Sequence, residues 1–272
     1  MRIDKVNEIY TGAAGRKSVY DLKIPDTWNN EILLFMHGYK GYKDWGAWSL
    51  MGSAFTAKKF GYCAFNFSHN GGTVDNPIDF PDLDAFAQNR YSYELHDAHT
   101  MVNLLHDMYP SAKIHVIGHS RGGGIASLVA AQTSTVSSLT TLASVDDFAS
   151  RFIQGEALDK WKNQGVYTVK NSRTQQDMPH YYSFYTDYFN HEKDLNILEN
   201  LKQFEKPALH IHGTQDEAVQ LACSRSLALA TKGEFVSIEG AGHTFQSKHP
   251  WTENVIPKAM QEMVQHMLNF YK

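Results

Sequence analysis

The sequence predicts an α/β protein, with a mostly parallel, twisted sheet and helices on both of its faces. Short continuous apolar runs, such as 32–37 and 62–67, alternate with longer stretches of helical periodicity. Strands buried on both faces of a parallel sheet give such runs, because neither face meets solvent. The 272 residues are 42% hydrophobic. They can form one large core, so we expect a single domain with an inserted segment.

The predicted elements follow in order along the chain. Segments 6–10 and 18–24 alternate apolar and polar residues, which predicts an antiparallel hairpin at the start of the sheet. Buried strands are then predicted at 32–37, 62–67, 113–118, 138–145, 208–211 and 234–238. Helices are predicted at 47–59, 83–109, 122–132 and 255–271.

The stretch between the strands predicted at 138–145 and 208–211 is too long for a simple crossover. It predicts an inserted cap, 147–206, on a core formed by 1–146 and 207–272. The insertion is polar and aromatic, with a tyrosine-rich run, so we expect it to be helical rather than more sheet. Open α/β sheets bind ligands at the carboxyl edge of their strands, which is where we expect the cap. Its tyrosines, including Tyr181 and Tyr185, are expected either to contact substrate or to form the cap's own small core.

The charge and composition of the chain limit the kinds of molecule it is expected to bind. The net charge is -4 and the pI about 6.4, with no basic stripe, so neither nucleic acid nor an anionic membrane is an expected partner. No apolar run approaches the roughly 20 residues of a membrane-spanning helix, and the first residues lack a secretory signal's apolar core. The spacing of Cys63 and Cys223 matches neither a metal-binding motif nor a redox motif. Two unpaired cysteines of this kind are expected in a protein of a reducing compartment. We expect a cytoplasmic monomer or homodimer acting on small molecules.

The pentapeptide Gly118-His119-Ser120-Arg121-Gly122 matches the pattern GxSxG. It follows a predicted strand and opens a predicted helix, which is the context of a nucleophilic serine. Glycine is needed at both ends because a side chain there would collide with the neighbouring strand or helix. The turn lifts the hydroxyl out of the sheet, and the helix N-terminus favours developing negative charge. Ser120 is therefore the candidate nucleophile.

A serine hydroxyl needs a base to take its proton, and the base needs a third group to hold its tautomer. His243 lies in a glycine-rich loop after the last predicted strand and is the candidate base. Asp216 follows the preceding strand and is the candidate acid. Asp146 and Asp147 follow an earlier strand and remain rival acids, although an acidic residue there also suits a helix N-cap. His249 is the alternative base.

Two backbone N–H groups are needed to stabilise the oxyanion of a tetrahedral intermediate. Arg121 follows the nucleophile, and Tyr39 lies in the turn after His37-Gly38, where the second donor is expected. The alternative for His37-Gly38 is a plain strand-to-helix turn. His37 and His119 lie beside these donors and are candidate substrate contacts.

Two histidine pairs have spacings that could bind a metal ion. His96 and His99 share a helical face, and His210 and His212 share a strand face. No carboxylate or cysteine is in clear register with either pair, so no metal site is predicted. The glycine-rich run at 122–124 lacks the lysine of a phosphate-binding loop, and no cofactor is expected.

These motifs, in this order, resemble those of the α/β-hydrolase superfamily over nearly the whole chain. The stretches HGYKGYKDW, GHSRGGG, HGTQDEAV and GAGHTF are similar to those of bacterial cinnamoyl or feruloyl esterases, dienelactone hydrolases and prolyl oligopeptidase domains. The resemblance implies ester hydrolysis through an acyl-serine, with Ser120, Asp216 and His243 as the triad. Feruloyl-type esterases also carry an insertion of similar size that contacts an aromatic acyl group. Dienelactone hydrolases proper use a cysteine nucleophile, and dehalogenases an aspartate, whereas this chain has serine.

Two alternatives to an ester hydrolase remain open. A serine peptidase would use the same three residues on an amide bond. A catalytically silent ligand-binding protein would share the scaffold, although all three residue types of the triad are present in the expected order. The acyl chain length and the leaving group are not specified by the sequence.

Overall fold

The computed structural model describes residues 2–272. Most of its strands form one eight-stranded sheet, and two form a separate hairpin. The strands are β1 (Ile3–Thr11), β2 (Lys17–Ile24), β3 (Glu31–Met36), β4 (Gly61–Phe65), β5 (Lys113–His119), β6 (Val136–Leu142), β7 (Val166–Lys170), β8 (Asp177–Tyr181), β9 (Ala208–Gly213) and β10 (Glu234–Ile238).

The main sheet has the strand order β1-β2-β4-β3-β5-β6-β9-β10. Strand β2 pairs antiparallel with β1 and β4, and the remaining neighbours pair in parallel. The predicted fold class, including the antiparallel hairpin at the start, is confirmed. Because parallel strands end at the same edge, the loops after β3, β5, β6, β9 and β10 meet there.

Helices cover both faces of this sheet. They are α1 (Trp48–Thr56), α2 (Leu83–Gln88), α3 (Tyr91–Met108), α4 (Arg121–Gln132), α5 (Glu156–Gln164), α6 (Ser183–Asn190), α7 (Glu192–Leu195), α8 (Ile197–Leu201), α9 (Leu221–Thr231) and α10 (Lys258–Phe270). Two hydrophobic cores form because successive side chains of a strand point to opposite faces of the sheet. In β3, Leu34 packs with α3 and α4 on one face, and Leu33 packs with α1 and α10 on the other. Among the described residues, no helix has the length and apolar character needed to cross a membrane.

The single helix predicted at 83–109 is wrong, because the chain forms α2 and α3 with a break at Asn89. Asn89 has extended backbone angles, φ −56° and ψ 152°, and its Nδ2 donates to Glu94 Oε1 at 2.6 Å. Asparagine is also a weaker helix former than most residues, which favours a break at this position. The Asp82 side chain caps the start of α2 by accepting a hydrogen bond from the N–H of Ala85.

The insertion between β6 and β9 is not purely helical as predicted, because it contains the antiparallel hairpin β7–β8. The exposure of the side chains alternates along β7, as expected for a short strand with one face turned inward and the other facing solvent. At the other end of the insertion, Ile197 and Leu201 of α8 are buried in the same core as α4. This helix thus packs on the core, and the predicted cap boundary at residue 206 stays a prediction.

Candidate active site

Ser120 occupies a sharp turn between β5 and α4 at the edge where the parallel strands end. Its backbone has φ 56° and ψ −120°, a left-handed conformation that costs a residue other than glycine about 1–3 kcal/mol. The N–H of Ser120 donates to the carbonyl of Leu142 at 2.9 Å, which ties the turn to β6. Strain of this kind, held by the surrounding structure, is a feature of functional sites.

Backbone atoms pack directly on the two glycines that flank this turn. A Cβ on Gly118 would overlap the carbonyl of Gly122, and one on Gly122 would overlap the carbonyls of Met36 and His37. The predicted reason for both glycines is therefore confirmed. The close approach of α4 to β3 and β5 fixes the position of Ser120.

We expect Gly122→Ala to lower the free energy of unfolding by about 1–3 kcal/mol, because β3 and α4 would have to separate. Gly242→Ala is the matched control, since the nearest atom to its added Cβ, the carbonyl oxygen of Gln215, is 3.7 Å away. Urea unfolding followed by circular dichroism measures both variants. An equal effect at the two positions would contradict the steric explanation.

Asp216 and His243 come together at the same edge. His243 Nδ1 lies 2.8 Å from Asp216 Oδ2, and the Asp216 side chain is fully buried. The other carboxylate oxygen accepts the N–H groups of Ala218 and Val219 at 2.8 and 3.0 Å. These bonds fix the carboxylate, which in turn orients the imidazole.

Ser120 and His243 line the same cavity, although no hydrogen bond joins Ser120 Oγ to the ring within residues 2–272. With Nδ1 bonded to Asp216, His243 keeps Nε2 for a second partner. In unliganded hydrolases the contact between nucleophile and base is often long and tightens only with substrate. Ser120 and His243 thus share the cavity, and Asp216 lies buried on the Nδ1 side of His243.

His212 is a partner of Asp216 that the sequence interpretation missed. Its Nε2 lies 3.0 Å from both Asp216 Oδ2 and the carbonyl of Val219, so Nε2 carries the hydrogen. Its Nδ1 accepts the hydroxyl of Ser224 at 2.7 Å. Burial alone would raise the pKa of Asp216. Hydrogen bonds from His212 and His243 outweigh burial and hold the pKa of this carboxyl well below its usual range.

The rival acids and the rival base make other contacts. The Asp147 carboxylate accepts the backbone N–H groups of Ala149 and Ser150, one residue before the N-cap position of a short helical turn. Asp146 contacts Cys223, whose pKa is raised first by burial and then by this carboxylate. His249 Nε2 lies 2.8 Å from the hydroxyl of Tyr42.

The two proposed oxyanion donors both border the cavity at Ser120. The N–H groups of Tyr39 and Arg121 have no acceptor within residues 2–272. Free donors beside a nucleophile suit an oxyanion, because they stabilise charge without first breaking another bond. The Arg121 N–H also stands at the N-terminus of α4, where the helix dipole favours negative charge.

His37 and His119 border a smaller cavity, and both rings are bonded to backbone groups. His37 Nδ1 lies 2.9 Å from the carbonyl of Gly38, and its Nε2 accepts the N–H of Phe67. His119 Nε2 lies 2.9 Å from the backbone carbonyl of His243. Burial lowers the pKa of His37 to about 4 and of His119 to about 3. Both neutral rings hold loops of the site in place, and their contact with substrate stays a prediction.

Two cavities meet at Ser120. The larger measures about 500 Å³ and the smaller about 250 Å³. Both are lined by Tyr39, Lys40, Ser120 and His243. The residues of the insertion on the larger cavity are Phe148, Arg151, Phe152, Ile153, Trp161, Tyr167, Val169, His180 and Phe184.

Tyr181 and Tyr185 do not border either of these cavities. The Tyr181 hydroxyl donates to Asp84 at 2.6 Å on the outer surface. Successive residues of a strand point to opposite faces, so His180 faces the cavity and Tyr181 faces away. Tyr185 is half-buried, stacks with Tyr182 and makes edge contacts with Phe152 and Trp161, so it belongs to the aromatic packing of the cap.

Three of the four histidines considered for metal binding are bonded to other side chains. His99 bonds to Gln132 and Thr133, and His212 bonds to Ser224 and Asp216. His210 lies between the hydroxyls of Thr141 and Thr231, at 2.8 and 2.9 Å. Across residues 2–272 there is no group of three or more His, Cys, Asp or Glu side chains placed to hold a metal ion.

The strained serine between strand and helix, at the carboxyl edge of this sheet, defines the protein as having an α/β-hydrolase architecture. Residues 33–253 match the sequence model of the Alpha/beta hydrolase family. The chain belongs to that family.

Individual relatives include esterases and a lipase. A monoacylglycerol lipase from Mycolicibacterium smegmatis is 27% identical over 116 residues, which are 43% of this chain and 38% of that protein. Est1E from Butyrivibrio proteoclasticus, solved with ferulic acid bound, has a TM-score of 0.71 and 16% identity, with 97% of this chain and 99% of that chain covered. A dienelactone hydrolase from Anabaena variabilis has a TM-score of 0.65 and 15% identity, with 99% and 97% covered. The two solved structures share the fold of this chain.

Proposed function

We propose that this protein is a serine hydrolase that cleaves carboxylic esters through an acyl-Ser120 intermediate. The observation that carries the proposal is the meeting of a strained serine with an aspartate-bonded histidine at one cavity. His243 Nδ1 is 2.8 Å from Asp216, and His243 and Ser120 both line the cavity. No metal or cofactor is needed for this chemistry.

In the proposed reaction Ser120 Oγ attacks the ester carbonyl while His243 Nε2 takes its proton. The N–H groups of Tyr39 and Arg121 stabilise the oxyanion of the tetrahedral intermediate. Collapse breaks the carbon–oxygen bond to the alcohol, which leaves with the proton from His243. Water then attacks the acyl-serine by the same route, releasing the acid and restoring the Ser120 hydroxyl.

The cavities indicate the size and character of the substrate. At about 500 Å³ the larger one is within the usual range of small-molecule sites, and Tyr91, Phe148, Trp161 and Phe184 make it strongly aromatic. A small to medium acyl group, in particular an aromatic one, fits this lining, and the smaller cavity is left for the alcohol. The ferulic acid held by Est1E is also an aromatic acid.

The test compares methyl cinnamate with N-methylcinnamamide, which share the acyl group and differ in the bond that is cut. We expect kcat/KM to be much higher for the ester, together with labelling of Ser120 by a fluorophosphonate mapped by mass spectrometry. Faster cleavage of the amide would favour a peptidase. If neither compound nor p-nitrophenyl butyrate is cleaved and Ser120 is not labelled, the chain is a ligand-binding protein instead.

A further inference from the structure

The charge that lines the two cavities differs in sign from the charge of the chain. Asp and Glu number 29 against 25 Lys and Arg, giving a net charge of -4. Every Lys, Arg, Asp or Glu that lines either cavity is nevertheless a cation. These residues are Lys40, Arg121, Arg151 and Arg173.

Two of these cations are neutralised by carboxylates. Arg121 Nη1 donates to Glu94 Oε1 at 3.2 Å, and Glu94 is almost completely buried. The Arg121 guanidinium also lies over the ring of Tyr39, with its carbon 4.4 Å from the ring centroid. Arg173 pairs with Asp79. These two side chains are therefore committed to the protein itself.

Lys40 and Arg151 have no carboxylate within 4.0 Å among residues 2–272. Lys40 is half-buried, with its ammonium 5.2 Å from the centroid of the Tyr39 ring. Arg151 Nη2 donates only to the carbonyl of Ala218, at 3.2 Å. Arg151 is exposed at the mouth of the larger cavity. Cations without counter-charges beside an aromatic cavity raise the local concentration of anions and favour their binding.

From this charge pattern we propose that the substrate carries a carboxylate on its acyl group, bound by Lys40 and Arg151. The inference rests on the proposed ester hydrolysis at Ser120 and adds the class of ester. The flat guanidinium fork of Arg151 matches a carboxylate, and the ammonium of Lys40 adds a second charge. An acyl group with a ring between its ester and its acid would fill the aromatic cavity and present the carboxylate to these cations.

The experiment uses two esters that differ only in charge, methyl para-carboxycinnamate and methyl para-carbamoylcinnamate. The carbamoyl group has nearly the shape of the carboxylate but is neutral. We expect kcat/KM of the wild-type protein to favour the anionic ester by about tenfold or more, mainly through KM. The preference should fall as salt is added, because exposed charges are screened.

The variants Lys40→Met and Arg151→Met remove the two charges while keeping unbranched side chains of similar length. We expect each to lower the ratio between the two esters, and the double variant to bring the ratio close to one. Arg151→Lys should retain part of the preference. Lys160→Met removes the same charge from an exposed position on α5 outside the cavities, so it should keep the wild-type ratio.

The outcomes separate this inference from the function on which it rests. Equal kcat/KM for the two esters in the wild-type protein would overturn the carboxylate proposal and leave ester hydrolysis intact. A preference that survives in the double variant would also overturn it, because the anion would then be bound elsewhere. Cleavage of neither ester, without fluorophosphonate labelling of Ser120, would remove both proposals together.

Discussion

Replacing Ser120 by alanine is expected to lower kcat for methyl cinnamate by at least about 10⁴-fold and to abolish fluorophosphonate labelling. The reason is that no other hydroxyl occupies the turn between β5 and α4, so no acyl-enzyme can form. Alanine tolerates the Ser120 backbone angles no worse than serine does, so we expect the fold to be kept. Steady-state kinetics and intact-protein mass spectrometry measure the two effects, and circular dichroism checks the fold.

Ser53→Ala is the matched control, because Ser53 is an exposed serine of α1 whose hydroxyl bonds only to the preceding turn. It should retain wild-type turnover and labelling at Ser120. If Ser120→Ala kept even a tenth of the wild-type kcat, an acyl-Ser120 intermediate could not be on the reaction path. Labelling of a different residue in the wild-type protein would contradict the assignment in the same way.

The parts of the site that the sequence could predict are those encoded by short segments at strand ends. The turn at Ser120 needs glycine at 118 and 122 for local steric reasons, so five residues in a strand-to-helix context were enough to locate it. His243 and Asp216 each follow a buried strand, and parallel strands bring such loops to one edge. Their meeting therefore depends on topology that the apolar pattern already indicates.

The cap could not be predicted to the same depth, because its features depend on how it packs. The hairpin β7–β8 is short, and a five-residue strand gives little periodicity to separate it from a helix or loop. Whether His180 or Tyr181 faces the cavity depends on the register of that hairpin and on how it packs on the core. The tyrosine-rich run identifies an aromatic cap without saying which rings border the site.

His212 was missed for a different reason. Its spacing from His210 drew attention to metal binding, while the relevant partner, Asp216, lies four residues further along the chain. A histidine at the end of a buried strand, just before the loop that carries the candidate acid, was the available signal. In the structure the fully buried ring bonds to Asp216, so it positions the carboxylate rather than a metal ion.

The second large effect is expected for Asp216→Asn, which should lower kcat by about 10⁴-fold. The reason is the number of hydrogen-bond donors around Asp216. The carboxylate accepts four hydrogen bonds, two on each oxygen, from two backbone N–H groups and from His212 and His243. An asparagine oxygen that keeps the two backbone bonds turns its NH₂ group toward both imidazoles. His243 Nδ1 must then accept, which places the hydrogen on Nε2, where the base needs a free lone pair.

Asp147→Asn is the matched control, because it makes the same chemical change at a rival acid whose side chain bonds to the N–H groups of the following turn, and asparagine forms such bonds as aspartate does. We expect it to keep wild-type kcat, while Asp216→Asn keeps its fold by circular dichroism and loses turnover. The kinetics would refute the assignment if Asp216→Asn stayed within tenfold of the wild-type kcat and Asp147→Asn did not. In that case the acid that orients His243 would come from the loop after β6 instead of the loop after β9.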